Sequence, residues 1–98
     1  MSESVLRDRS KTFAKEIVFF CRKLRKGRAE YSLVNQLLRA GTSIGANIHE
    51  AQYAQGKKVF ISKLEIALKE TSETGYWLEL LYRTKYIDEK AFHPNALP

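Results

Sequence analysis

Apolar residues recur near the start of the chain at helical spacing. Phe13, Ile17, Phe20 and Leu24 follow one another at +4, +3 and +4, the seam of a helix that buries one face. The pattern predicts a first helix from about Val5 to Lys26, stopped by Gly27 just beyond a basic last turn. "GRAEYS" then forms the connection, with Ser32 as the expected cap of the next helix. From there Val34, Leu37, Gly41, Ile44, Ile48 and Ala51 repeat at +3, +4, +3, +4 and +3. Gly56 ends that helix or opens the turn into a third, expected from about Lys57 to Thr84. The third is apolar on several sides. Phe60, Leu64, Ala67, Thr71, Thr74, Leu78 and Leu81 make one seam; Val59, Ile66, Trp77 and Leu80 a second; Ile61, Leu68, Gly75 and Tyr82 a third. Such a helix is either central in the bundle or meets another copy. No stretch alternates with a strand's period of two, and no hairpin dipeptide occurs. The expected class is all-α, an up-down antiparallel helical bundle forming one domain over residues 1–98.

The second pattern runs without loss of phase through "RAGTSIGANIHEAQ", residues 39–52, which otherwise looks like a loop. It therefore reads as helix. Each interior glycine costs up to about 1 kcal/mol against alanine, so Gly41 and Gly45 need a compensating reason. They lie four apart on one face and, with Ala40, form a shallow groove where another helix can approach closely. Whether that partner belongs to the same copy or a second one stays open at this level. Asn47 is the polar residue of most interest, with Thr42 and Ser43. A buried asparagine needs its amide paired and can fix register or oligomeric state, and the alternative is direct contact with a ligand or nucleic acid. Gly41, Gly45, Asn47 and Trp77 are the candidate helix-packing or oligomer residues.

Three catalytic readings of these residues fail on chemistry. "IHEAQY" begins like a zinc-protease helix, but the position four beyond His49 is Tyr53 rather than a second histidine. "GTSIG" matches the spacing of a nucleophile elbow without the strand that must precede it, and lacks the lysine of a phosphate loop. Glu65, Glu70, Glu73 and Glu79 on the third helix form no Glu-x-x-His pair of the kind that binds two metals in a bundle. Surface ion pairs at four-residue spacing, Lys69 with Glu65 and Glu73 and Glu79 with Arg83, explain them better. No catalytic residue, metal or cofactor is expected.

Charge changes the picture more. The net charge is +6. Residues 1–28 hold nine Lys and Arg against three acids, and residues 29–98 hold eight of each, so the whole excess sits on the first segment. It is densest in "RKLRKGR", where Arg22, Lys23, Arg25, Lys26 and Arg28 are the candidate nucleic-acid-binding residues. Part of this density is also what a helix C-terminus favours. The single cysteine, Cys21, falls in the apolar run "IVFFC" and reads as a buried structural thiol in reducing surroundings. "MSESVLRDRS" has no signal-peptide core, and no apolar run approaches the ~20 residues of a membrane span, so a soluble cytoplasmic protein is expected.

"QLLRAGTSIGANIHEAQ" and "KKVFISKLEIALKETSETGYWLELL" together resemble the four helix bundle protein family. Its founding members are encoded by intervening sequences in bacterial large-subunit ribosomal RNA genes, and it is also labelled S23 ribosomal protein-like. Gln36, Leu37, Arg39, Ser43, Ile44, Ala46, Asn47, Ile48 and Glu50 carry the first blocks, and Ile66, Ala67, Leu68 and Glu70 the last. The resemblance covers roughly residues 10–87. It implies a four-helix bundle assembled as a ring-shaped homo-pentamer, with no enzymatic activity; a related branch binds nucleic acid and a reverse transcriptase. Here only about ten residues follow "KYID", Pro94 among them, so three long helices with a shortened or missing fourth are expected. Two functions stand side by side: an oligomer that binds RNA or DNA electrostatically, and a protein-interaction adaptor whose basic segment serves solubility.

Overall fold

The structure is a computed structural model that describes residues 3–89. Among these the chain forms three helices and no strand: α1 (Glu3–Lys26), α2 (Tyr31–Ala51) and α3 (Lys57–Arg83). The all-α bundle of three long helices is as expected. The fourth-helix expectation, with Pro94 and His93, lies outside the described residues.

Successive helices run antiparallel, and side chains mark the register. Arg7 near the start of α1 donates a hydrogen bond to Gln52 just past the end of α2. At the opposite end, the Cys21 thiol donates to the Val34 carbonyl at 3.7 Å. Between α2 and α3, Lys63 pairs with Glu50 at 2.8 Å and Arg39 with Glu70 at 2.9 Å. A 27-residue helix is about 40 Å long, in keeping with an envelope of 44 × 24 × 19 Å.

The middle helix is α2. It packs against α1 on one side and α3 on the other, whereas no Cα of α1 comes within 8 Å of α3 among the described residues. A central position for α3 is thereby excluded as the reason for its three apolar seams. The first seam is mostly spent on α2: Ala67, Thr74, Leu78 and Leu81 are buried, although Thr71 is exposed. The third is open, with Ile61, Leu68 and Tyr82 all exposed. The main core gathers Ile17, Cys21 and Leu24 of α1, Val34 and Leu37 of α2, Leu78 and Leu81 of α3, and Ile87. The periodicity thus located the core, because burial of one stripe per helix is what the pattern encodes.

Helix ends differ from expectation in two places. α2 begins at Tyr31, with Glu30 at the cap and no side-chain capping bond. Ser32 therefore lies within the first turn and caps nothing. α1 does stop at Lys26, but the residue in left-handed conformation is Arg28 (φ 70), not Gly27. The reason is a Schellman closure: Ala29 N–H reaches back to the Leu24 carbonyl at 3.2 Å, and Ala29 packs on the core. α3 ends the same way, with Lys85 at φ 68 and Tyr86 N–H on the Leu81 carbonyl at 2.9 Å. Gly56 (φ 94) belongs to the start of α3. A left-handed arginine is strained, so Arg28→Gly should stabilise the fold by about 1 kcal/mol. A rise of roughly 4–8 °C in Tm is expected; an unchanged or lower Tm would show that the turn holds no strain to release.

The acids of α3 also depart from the surface-pair reading. Glu79 and Arg83 do pair at 2.9 Å. Glu70, however, is buried, and both it and Glu73 are bound by Arg39 of α2, at 2.9 and 2.7 Å. A buried carboxylate needs a cation, and the neighbouring helix supplies it.

Candidate nucleic-acid interface

α1 turns Ile17, Cys21 and Leu24 into the core, which leaves its other side to water. Arg22, Lys23 and Lys26 are exposed on that side, Arg25 is exposed at its edge beside α2, and Arg28 is exposed in the turn that follows. Lys11, Lys15, Phe19, Arg22 and Lys26 succeed one another at +4, +4, +3 and +4, and every one is exposed. At 100° per residue they fall within an arc of about 80° opposite the buried seam, along roughly 22 Å of helix. The five predicted cations are therefore brought to one end of the molecule, and two further lysines extend them along α1.

Two of the cations sit over aromatic rings. The Arg22 guanidinium carbon lies 5.4 Å from the centre of Phe19, and that of Arg25 lies 5.7 Å from the centre of Tyr31. Arg25 also donates to the Asn35 side-chain oxygen, which ties it to the first turns of α2. Phe19 is 53% exposed and Tyr31 70%. Sequence reading misses both. Phe19 is hidden inside "IVFFC", although it stands one position off the Phe20 seam and so faces outward. Tyr31 falls in the expected connection "GRAEYS", whereas it opens α2.

The hydroxyls and the amide of the glycine-rich stretch are bound within their own helix. The Ser43 hydroxyl donates to the Arg39 carbonyl at 2.6 Å and the Thr42 hydroxyl to the Leu38 carbonyl at 2.7 Å. Asn47 is half-buried, and its amide donates to the Ser43 carbonyl at 2.8 Å, within its own helix. His49 packs on Tyr53, ring centres 5.3 Å apart. A Cβ added at Gly41 would stand 2.9 Å from Ile17 Cγ2, and one at Gly45 would stand 3.2 Å from the Ser10 carbonyl oxygen. The groove thus receives α1 of the same chain. Trp77 is half-buried against the core and edge-on to Tyr76 at 4.9 Å; its indole N–H has no partner among the described residues.

Cys21 is buried, and burial pushes its thiol up to about 11, with the Arg25 charge pulling weakly the other way. So little thiolate at neutral pH makes it an inert core residue. Among the described residues no three of His, Cys, Asp and Glu gather as a metal would require, and no helix is long and apolar enough to cross a membrane.

The sequence pattern of the 23S rRNA-intervening sequence protein family matches residues 3–96. The chain belongs to that family. It is also similar to a solved protein of unknown function from the S23 ribosomal protein family of Bacteroides thetaiotaomicron VPI-5482, at 49% identity and a TM-score of 0.91. That likeness covers 95% of this chain and 83% of the other. No curated protein matches. The three sequence blocks that carry the family resemblance each have a physical role here. Arg39 and Gln36 of the first block and Glu70 of the last meet across α2 and α3, with Arg39 Nε donating to Gln36 at 3.3 Å. Glu50, ending the middle block, takes Lys63, whose hydrogen bond holds its carboxyl below the usual range.

Proposed function

We propose that this intervening-sequence family member is a non-enzymatic, oligomeric helical bundle that binds RNA or DNA electrostatically through α1. The observation that carries the reading is the placement of charge. All of the chain's excess of six positive charges belongs to residues 1–28, and Arg22, Lys23, Arg25, Lys26 and Arg28 stand exposed together. Phosphate contacts of this kind give affinity with little sequence preference. The test is binding of labelled nucleic acid by the purified chain and by Lys23→Gln/Lys26→Gln/Arg28→Gln, over a range of salt. Losing three contacts should weaken binding roughly 100-fold near 0.1 M salt and lower the salt slope by about 2. Unchanged affinity and slope would remove the patch from the mechanism.

The family resemblance implies a homo-pentamer, and the open side of α3 supports self-association. Leu68 is 73% exposed, in line with exposed Ile61 and Tyr82. The same surface is what favours the second reading, an adaptor that docks another protein. Leu68→Glu should drop the mass in light scattering to the 11.3 kDa protomer while leaving helicity unchanged. An oligomer that survives the substitution would place self-association elsewhere.

A further inference from the structure

We infer that the basic face of α1 takes single-stranded rather than duplex nucleic acid, with unpaired bases stacking on Phe19 and Tyr31; this rests on the nucleic-acid reading above. Both rings are large, exposed and set among cations, and neither belongs to the core. Each is already paired with a guanidinium, Arg22 at 5.4 Å from Phe19 and Arg25 at 5.7 Å from Tyr31. Arg25 is further held by Asn35. An aromatic ring beside a planar guanidinium is the platform on which unpaired bases stack, and such stacking is tolerant of sequence because every base has a π-face.

A duplex would use only half of this surface. Its phosphates would meet the lysines and arginines, but its bases are stacked on each other, and a ring reaches a base face only after that stacking is broken. A single strand offers both groups at once. Lys11 and Lys15 precede Phe19 on the stripe and Lys26 follows it, so phosphates on either side of a stacked base find a cation. A second copy of this chain is a poorer occupant. Two such stripes facing one another would set like charges together, whereas Ile61, Leu68 and Tyr82 on α3 offer an uncharged line for that purpose.

The experiment compares three probes on the full chain by fluorescence anisotropy: an RNA strand of roughly 16 nucleotides, its duplex, and an abasic strand of equal length. The variants are Phe19→Leu/Tyr31→Leu, which removes the rings, and Phe19→Trp, which keeps one. The expected result is tighter binding of the single strand than of the duplex. The double leucine variant should lose roughly 10- to 100-fold on the single strand and change by less than about twofold on the duplex and abasic strand, with the salt slope kept. Phe19→Trp should bind like the parent chain, and light scattering should give one mass for all. Equal losses on all probes, no loss on any, a duplex bound as tightly as the single strand, or a changed mass in the leucine variant would overturn the inference. If Lys23→Gln/Lys26→Gln/Arg28→Gln still weakens binding in those cases, the electrostatic reading survives. Absence of binding to every probe at low salt would sink both.

Discussion

Gly41→Leu should destabilise the protein by about 3 kcal/mol or more, at the upper end of what overpacking a core costs. The Cβ alone would stand 2.9 Å from Ile17 Cγ2, 3.0 Å from its Cγ1 and 3.3 Å from its Cβ. Ile17 is buried and cannot swing outward, so α1 must lift from α2. A small domain has a total stability of only about 5–15 kcal/mol, so the Tm should fall by roughly 12–24 °C. Pairing the change with Ile17→Ala, which empties the space the leucine enters, should return part of the loss. That non-additivity in a double-mutant cycle is the signature of direct contact. A Gly41→Leu chain as stable as the parent would mean that α1 does not lie in the groove.

That groove illustrates what the sequence can and cannot say. The phase running through "RAGTSIGANIHEAQ" announces a helix, and the four-residue spacing of Gly41 and Gly45 announces a close approach. The identity of the approaching helix is not legible. Small residues state how near a backbone comes but carry no shape that names a partner, and both α1 and a second copy satisfy the pattern. The three seams of α3 are equally ambiguous. An exposed Leu68 and a buried Leu78 look alike in a sequence, and only the placement of α2 between α1 and α3 separates them.

The site is legible as charge and illegible as geometry. Counting Lys and Arg places the excess on α1, because net charge needs no fold to be read. The rings beneath Arg22 and Arg25 require the helical phase of one and the start of α2 for the other. Phe19 lies three residues from Arg22, so that pair is within reach of spacing alone. Arg25 and Tyr31 are joined only because the Arg28 turn folds α2 back against α1. Glu70 is misread for a related reason: its place on a charged helix suggests surface pairing, while its cation comes from another helix 31 residues away.

Arg39→Ala follows from that last contact and should cost about 2–4 kcal/mol. Removing one partner of a fully buried pair typically costs about 3–5 kcal/mol, and Arg39 is itself half exposed, which lets water reach the vacated space and lowers the figure. Glu70, with its side chain only 7% exposed, loses its cation, and Glu73 loses a bond of 2.7 Å. Glu73→Ala alone should have a far smaller effect, since that carboxylate is well solvated. Arg39→Ala/Glu70→Leu should be more stable than Arg39→Ala, because no buried charge is left unpaired. The pH dependence has a definite sign. The Arg39 hydrogen bond holds the Glu73 carboxyl below its ordinary 4.5, so its contribution is present above that value and is lost as pH falls through the lower folded one. The stability gap between the parent chain and Arg39→Ala, measured by urea unfolding, should therefore narrow as the solution is acidified below 4.5. A gap that stays constant there would mean that Arg39 holds α2 to α3 through its aliphatic stem, not its charge.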